Sequence, residues 1–229
     1  MKYGRDSSLT QAMLDDATDG YSGCPEQVVE ILKTWVFSSA IDGTLFDNCA
    51  GDGVAASKLS RAWNLRPILV EPHPARHALC LRFDRNAICA PAQHVLGRGP
   101  TVWFFNPPYD FADKAGSMEK HLLWSAIARV PLPDTLCIWL LPRRLLDDLS
   151  VKELVSKHLD KRRIFRFPTA WEDYRQIAIL GYWTDRVNQK ELPDEAPVLD
   201  VAESPYFLKA VGADFSVARE SLPSFVAAH

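Results

Sequence analysis

The sequence has no excess of positive charge and no long apolar run. Its 26 lysines and arginines are outnumbered by 29 aspartates and glutamates, which gives a net charge of −3. The strongly basic footprint that is typical of a free-standing nucleic-acid binder is therefore absent. No stretch approaches the roughly 18 apolar residues of a membrane-spanning helix. The first residues are polar and acidic, so we expect neither a secretory signal nor a membrane partner.

Cysteines are few and poorly spaced for metal or disulfide chemistry. There are 5 of them, an odd number, and no two form a C-x-x-C pair. The spacing therefore predicts neither a zinc site nor a disulfide framework. We expect a protein without a bound metal, whose thiols are reduced and buried, as is usual in the cytoplasm.

Composition and length predict one large globular domain with an arm at each end. Hydrophobic residues make up 47% and charged residues 24% of the 229 residues, which excludes a disordered chain, a collagen-like fibre and a coiled coil. We expect a loose N-terminal arm at 1–20, one domain at 21–187 and an appended C-terminal arm at 188–229. Prolines divide the last segment into short pieces, and about forty residues are too few for an independent core.

Apolar strands alternate with helical segments along most of the chain. The strands are continuous apolar runs, which predicts a mostly parallel sheet with helices on both faces. The last two strands, 163–167 and 176–183, have no full helix between them, which predicts an antiparallel pair at one edge. The earlier strands are expected at 44–47, 68–71, 87–89, 101–105 and 136–141, and the helices from Pro25 and at 54–63, 74–83, 114–130 and 145–159.

Two unusual segments follow the first strands at their carboxyl ends, where doubly wound sheets bind ligands. Residues 47–53 read DNCAGDG. Their small side chains let the backbone approach a ligand, and the next helix would offer free N–H groups. Glu71 ends the second strand, where a ribose diol would be held. A glycine-rich turn and a strand-terminal acid are also common structural features, so neither decides a function alone.

A third segment, Asn106-Pro107-Pro108-Tyr109, directly follows the apolar strand expected at 101–105. Two consecutive prolines remove two hydrogen-bond donors and stiffen the chain. They would hold Asn106 at the strand tip and project Tyr109 beside it. A turn that needed only rigidity would not require an amide before the prolines and an aromatic ring after them.

In these segments the chain resembles the S-adenosylmethionine-dependent methyltransferases that methylate amino groups, whose best-known members are adenine-N6 DNA methyltransferases. DNCAGDG is similar to the glycine motif of the family, Glu71 to its second-strand acid and NPPY to its catalytic tetrapeptide. Two late segments, 166–168 and 174–177, resemble phage- and plasmid-type members. The resemblance covers roughly residues 20–183. It implies an α/β, Rossmann-like class I methyltransferase fold with a seven-stranded, mostly parallel sheet, and S-adenosylmethionine as cofactor.

The resemblance also implies a role for each matching residue. Cys24 stands where the family usually has threonine, and the acid that often bonds the adenine ring is missing around residues 89–92. The implied catalytic residues are Asn106, Pro107, Pro108 and Tyr109. The implied cofactor-binding residues are Tyr21, Cys24, Pro25, Asp47, Asn48, Cys49, Ala50, Gly51, Gly53, Glu71, Pro72 and Asn106.

The catalytic set predicts how a poorly nucleophilic amine could react. The Asn106 side-chain oxygen and the Pro107 carbonyl can accept the two amine protons, which localises the nitrogen lone pair. No strong base is required. Tyr109 would stack on the base, and a base in duplex DNA would first have to leave the helix.

The tetrapeptide indicates a planar amino nitrogen without identifying the molecule that carries it. Adenine in DNA, a base in RNA and a glutamine side chain of a protein all fit. Arg143 and Arg144, on the same rim as Asn106, and a second basic cluster at 161–166 favour nucleic acid, with DNA first. Such clusters are also ordinary solvated surfaces. No recognition domain is evident, which leaves low specificity, recognition by a short loop or a separate specificity partner open. A catalytically inactive methyltransferase fold that serves as a binding scaffold is the competing hypothesis.

Overall fold

The computed structural model describes residues 23–38, 42–96, 99–108, 118–166 and 176–185, with two short strands at 206–208 and 226–227. The predicted arm at 1–20 lies outside these residues, and so do Tyr21 and Tyr109. The roles predicted for these two tyrosines therefore stay predictions.

Helix α1 (Glu26–Trp35) begins directly after Pro25, where the sequence predicts a first helical turn. Proline suits this position because it has no N–H that the first turn would leave unsatisfied. Its carbonyl accepts the N–H groups of Val28 and Val29 at 3.0 and 3.2 Å. The other described helices are α2 (Val54–Ala62), α3 (Pro74–Cys80), α4 (Met118–Ile127) and α5 (Leu149–His158).

The helix predicted over 145–159 is divided in two. A 3-10 turn (Arg143–Asp147) comes first, and α5 starts anew after Asp148. The Asp148 carboxylate accepts the N–H groups of Ser150 and Val151 at 3.0 and 3.2 Å, which caps the start of α5. A capping residue needs non-helical backbone, so one helix cannot run through this position.

Six of the described strands form the main sheet, in the order β3-β2-β5-β6-β8-β7. The first four are parallel, whereas β8 is antiparallel to both β6 and β7. The mostly parallel α/β fold with an antiparallel edge is thus confirmed. The strands are β1 (Val36–Ser38), β2 (Thr44–Asp47), β3 (Arg66–Leu69), β4 (Val95–Leu96), β5 (Val102–Phe105), β6 (Leu136–Pro142), β7 (Leu159–Arg166), β8 (Gln176–Trp183), β9 (Tyr206–Leu208) and β10 (Val226–Ala227).

The strand expected at 87–89 is reduced to a single parallel bridge between Ile88 and Val70. Ile88 donates to Leu69 at 2.8 Å, and its carbonyl accepts the Glu71 N–H at 3.0 Å. A turn closes just before it, and Pro91 follows. Pairing at this edge of the sheet therefore extends over one residue only.

Successive residues of the central strands enter two separate cores. Leu45 and Phe104 belong to the core on the side of α1, α2 and α3, whereas Phe46 and Trp103 belong to the core beneath α4 and α5. Side chains alternate between the faces of a strand. Burial of both faces therefore explains why these strands are continuous apolar runs rather than alternating ones.

The segment 188–229, which the sequence predicts as an appended arm, contributes two short strands. β9 pairs in parallel with β1, and β10 pairs antiparallel with β4. The arm thus meets the preceding part of the chain at two separate places. The boundaries predicted for the three segments stay predictions.

The parallel strands place their carboxyl ends at one edge of the sheet, which we call the carboxyl edge. β2 ends there at Asp47, β5 at Phe105 and β6 at Pro142. The antiparallel β8 begins at the same edge, because Gln176 pairs with Pro142. The segments that the sequence singles out follow these strand ends.

Candidate active site

The turn at residues 47–53, which we call the glycine turn, is held mainly by its own hydrogen bonds. The buried Asp47 carboxylate accepts the Cys49 N–H at 3.0 Å. The Ala50 N–H donates to the Val70 carbonyl at 2.9 Å, and Asp52 accepts the Val54 N–H at 3.0 Å. The free N–H groups expected at the start of α2 are therefore not free at Val54, because the turn itself supplies the acceptor.

Gly53 is required by the packing of the protein around it. Its φ of +75° lies in the left-handed region, which glycine adopts without strain. An added Cβ would lie 3.0 Å from Leu69 and 3.2 Å from the Cys80 sulfur. Glycine at this position thus lets the start of α2 pack closely against Leu69 and Cys80. The contact with a cofactor that the sequence predicts for Gly53 stays a prediction.

Glu71 joins the glycine turn to α3. One carboxylate oxygen, Oε2, accepts the Gly51 N–H at 2.9 Å. The other, Oε1, accepts the His73 N–H and Arg76 Nε, both at 2.9 Å. These donors occupy three of the roughly four acceptor positions of a carboxylate. Pro72, next in the chain, is exposed.

Arg76 is a site residue that the sequence analysis missed. It is 8% exposed and forms an ion pair with Glu71, which is 4% exposed. The sequence does contain a signal for this contact, which is the spacing of the two residues. An arginine five positions after an acid at the end of a strand falls on the start of the next helix, within reach of that acid. Burial of both partners means that the charge of each depends on the other.

Asn48 turns into the core beneath the glycine turn. It is 1% exposed, and its Oδ1 accepts the indole N–H of Trp103 at 3.0 Å. Its Nδ2 is buried without a partner among the described residues. The side chain is thus an anchor of the turn, and it offers one unused donor at the place where the sequence predicts a cofactor-binding residue.

Asp47 is a buried carboxyl group. Its pKa is raised to about 8, chiefly by burial; the Cys49 N–H opposes the rise, and the charges of Glu71 and Asp52 add to it. A positively charged ligand would favour the ionised form. Asp47 is therefore a candidate partner for a cationic group of a ligand.

The cysteines near this turn are protonated packing groups. Burial, and then the charges of Asp47 and Asp52, raise the pKa of Cys24 to about 12. Burial raises the pKa of Cys80 to about 12 as well, and its thiol donates to the Gly51 carbonyl at 3.2 Å. The pKa of Cys49 is raised well above its ordinary value by burial. Such thiols are poor nucleophiles. Electrostatic contact with Asp47 places Cys24, just before α1, close to the glycine turn.

Asn106 follows β5 directly and lies on the carboxyl edge next to the glycine turn. Asp47 at the end of β2 pairs with Phe104, two residues before Asn106. Asn106 is half-buried, and its Oδ1 accepts from Gln176 Nε2 at 3.4 Å. Pro107 is buried and Pro108 half-buried, whereas Tyr109 lies outside the described residues. The structure thus brings together the strand tip and the turn that the sequence singles out separately.

Arg143 and Arg144 follow β6 at the carboxyl edge, and both are ion-paired. Arg143 bonds Asp147 at 2.9 Å on the surface. Arg144 bonds Glu119 at 2.6 Å, where the glutamate is fully buried and the arginine is half exposed. Both arginines thus lie on the rim that the sequence predicts, and each forms an ion pair with an acidic side chain.

The second basic cluster expected at 161–166 is divided by the direction of β7. Asp160 pairs with Tyr182, near the far end of β8, so Lys161 lies toward the edge opposite the site. Arg166 pairs with Ile177 and is at the carboxyl edge. The basic residues of this predicted cluster are thus spread along the length of an extended strand.

The described residues contain no group of three or more histidine, cysteine, aspartate or glutamate side chains arranged to hold a metal ion. Nor does any helix in the part of the chain that the structure describes have the length and apolar character needed to cross a membrane.

Sequence comparison finds no matching protein-family model and no matching curated protein. Solved structures do match. A protein of Listeria monocytogenes assigned to the class I S-adenosylmethionine-dependent methyltransferases is 12% identical with a TM-score of 0.59, over 95% of this chain and 77% of its own. The M protein of the type I restriction enzyme EcoKI is 14% identical with a TM-score of 0.54, over 92% of this chain and 56% of its own.

The type IIG restriction endonuclease BpuSI also matches, at 12% identity and a TM-score of 0.58, over 77% of this chain and 27% of its own. This chain therefore spans about half of the EcoKI protein and about a quarter of BpuSI. At such identities the likeness is one of fold. The chain has a class I methyltransferase-like fold, with a mixed six-stranded sheet.

Proposed function

We propose that this protein is an S-adenosylmethionine-dependent methyltransferase that modifies an exocyclic amino nitrogen, with adenine N6 in DNA as the favoured acceptor. One observation carries the proposal. Asn106 lies at the tip of β5, on the same edge as the glycine turn, in a class I methyltransferase-like sheet. An amide oxygen beside a site that fits a cation is the arrangement that amine methylation needs.

The chain offers distinct groups for distinct parts of the cofactor. Asp47 would meet its positively charged portion, and the unpartnered Nδ2 of Asn48 could donate to a carboxylate. Glu71 would accept a ribose hydroxyl through the acceptor position that its three donors leave. Once bound, the cofactor supplies a methyl group activated by a sulfonium sulfur.

Asn106 and Pro107 would prepare the amine rather than deprotonate it. The Asn106 oxygen and the Pro107 carbonyl accept the two N–H groups, which turns the nitrogen lone pair toward the methyl carbon. Held in this orientation, the amine would take up the methyl group that the bound cofactor supplies, and the electron pair of the broken bond would stay with the cofactor. The amine then loses one proton to water. Alignment and placement of charge supply the rate.

Two observations support DNA as the substrate. Restriction enzymes are among the proteins with the same fold, and Arg143 and Arg144 lie on the rim beside the site. Because both arginines are paired with acids, the rim would bind phosphates weakly. Such a rim suits an enzyme with a separate specificity partner. An RNA base or a protein glutamine remains the alternative acceptor.

We place the protein in the reducing cytoplasm, with which its buried, protonated thiols agree.

A specific observation favours a second candidate, a catalytically inactive binding scaffold. The N–H groups of the glycine turn and the Glu71 carboxylate are largely used within the protein. A scaffold would keep these internal contacts and bind no cofactor.

Calorimetry with S-adenosylmethionine distinguishes the two candidates. We expect a measurable heat of binding, whereas a scaffold would give none. Tritiated methyl transfer to duplex DNA, single-stranded DNA, RNA and a glutamine peptide then identifies the acceptor, and label in duplex DNA is the expected result.

Asn106→Ala tests the role of the amide. We expect loss of methyl transfer with cofactor binding retained. Asn86→Ala, which removes an exposed amide that does not belong to the proposed catalytic set, is the matched control and should keep full activity. Methyl transfer by Asn106→Ala at the wild-type rate would overturn the role assigned to Asn106.

A further inference from the structure

Gln176 contacts Asn106 at the carboxyl edge, although the two residues are 70 positions apart in the sequence. Gln176 is the first residue of β8 and pairs with Pro142 at the end of β6. Its side chain is 7% exposed, and its Nε2 donates to Asn106 Oδ1 at 3.4 Å. The pairing of β8 with β6 thus places the Gln176 amide next to Asn106 at the tip of β5.

Burial of a glutamine at this position costs folding free energy unless its amide forms hydrogen bonds. The other residues of β8 are apolar or aromatic, apart from a glycine. Burial of an amide costs free energy unless hydrogen bonds replace those to water. An apolar side chain would fill the start of β8 without that cost. The hydrogen bond to Asn106 is a contact that offsets it.

The donated hydrogen bond constrains which way the Asn106 amide faces. A half-turn of an asparagine amide exchanges its oxygen, which only accepts, with its NH2 group, which only donates. An N–H of Gln176 can pair with the oxygen but not with the NH2 group. An amide oxygen has two lone pairs, so the hydrogen bond from Gln176 uses one of its two acceptor positions.

We propose that Gln176 is a positioning residue that holds the Asn106 oxygen toward the amine to be methylated, an inference that rests on the proposed function. Without Gln176 this hydrogen bond would no longer oppose a half-turn of the Asn106 amide. After such a half-turn, the NH2 group of Asn106 would face the N–H groups of the substrate amine. The fraction of productive complexes falls, while contacts to the cofactor and to the rest of the substrate are unchanged.

Kinetics of Gln176→Met test this role, because methionine keeps a similar volume but cannot donate. We expect kcat to fall about tenfold, as for the loss of one hydrogen bond, with KM and the Kd for S-adenosylmethionine unchanged. Gln176→Glu, whose ionised carboxylate only accepts, should lower kcat further. Tyr182→Phe, on the same face at the far end of β8, is the matched control and should keep kcat.

An unchanged kcat in Gln176→Met would overturn the proposal. A fall in kcat that comes with an equal loss of cofactor affinity and of thermal stability would overturn it too, because that pattern indicates a structural role.

Nuclear magnetic resonance of the side-chain amides gives a measurement that does not need activity. The Asn106 NH2 signals are assigned by their loss in Asn106→Ala. We expect them to shift and broaden in Gln176→Met and to stay in place in Tyr182→Phe. Asn106 signals that do not change in Gln176→Met would refute the positioning role. Failure of the wild-type protein to methylate any acceptor would instead refute the proposed function, so the two failures are distinct.

Discussion

Arg76 Nε donates to Glu71 Oε1 at 2.9 Å, with side-chain exposures of only 9% and 5%. The other oxygen of Glu71 accepts the Gly51 N–H. The ion pair therefore connects α3 to the glycine turn through a single carboxylate. Removal of one partner of a buried pair leaves an uncompensated charge, which is more harmful than the loss of the pair as a whole.

Replacement of Arg76 by methionine should destabilise the protein strongly. We expect the free energy of unfolding to fall by about 3–5 kcal/mol, because Glu71 would remain buried and charged. Urea unfolding followed by far-UV circular dichroism measures this change. The double variant Arg76→Met/Glu71→Gln should recover part of the loss, since it removes the unpaired charge. If the double variant is no more stable than Arg76→Met, the explanation by unpaired charge is wrong.

The matched control for this prediction is an exposed ion pair. Lys58 and Glu26 join α2 to α1 with side-chain exposures of 39% and 72%. Exposed ion pairs contribute little to stability, because water already solvates both charges. Lys58→Met should therefore lower the free energy of unfolding much less than Arg76→Met does, and an equal loss would mean that the urea assay reports on more than burial.

Asp47 predicts a pH dependence of stability with a definite sign. Burial raises its pKa from 3.8 to about 8 in the folded protein. Between these values the folded state holds a proton that the unfolded state has released. The contribution of Asp47 is therefore fully present below pH 3.8 and is lost as the pH rises to about 8, with a slope of at most about 1.4 kcal/mol per pH unit.

Unfolding measured at several values from pH 5 to pH 9 checks this prediction. Asp47→Asn cannot titrate, so we expect its stability to fall less than that of the wild type as the pH rises. The thiols of Cys24 and Cys80 have pKa values of about 12 when folded and 9.0 as ordinary thiols, so they lower stability only near the top of this pH range. They do so in both proteins, and the comparison of the two curves therefore isolates Asp47. Parallel curves for the two proteins would contradict the raised pKa of Asp47.

Local sequence pattern predicts the strands of this fold well, for a physical reason. β2 and β8 have the bounds expected from the sequence, because strands that are buried on both faces are apolar over most of their length. The strand expected at 87–89 has one apolar residue, Ile88, that pairs, and it ends almost at once. The helix over 145–159 contains Asp148, whose capping role depends on where the chain turns and not on periodicity.

The candidate site was predicted only as separate pieces. The glycine turn, Glu71 and Asn106 were recognisable because each directly follows a strand. Arg76 and Gln176 were missed, since what makes them significant is a contact created by the packing of a helix and by sheet register. For Arg76 the local signal is its spacing of five positions from Glu71, whereas the sequence around Gln176 gives no signal of its contact.

The contact between Asn48 and Trp103 leads to a prediction about the glycine turn. Trp103 is fully buried in β5, and its indole N–H donates to Asn48 Oδ1 at 3.0 Å. Trp103→Phe removes this donor and leaves both polar ends of a buried amide unsatisfied. We expect it to cost about 1–3 kcal/mol more than the lost packing alone. Calorimetric melting or urea unfolding measures the total.

Trp139 provides the measure of lost packing alone. It is fully buried in the same core and lies edge-on to Trp103, with ring centroids 5.2 Å apart. Its indole nitrogen has no partner among the described residues. Trp139→Phe should therefore be the less destabilising of the two substitutions, and the excess for Trp103→Phe should vanish when Asn48 is also replaced by leucine. Equal losses for both tryptophans would show that the Asn48 bond does not hold the glycine turn in place.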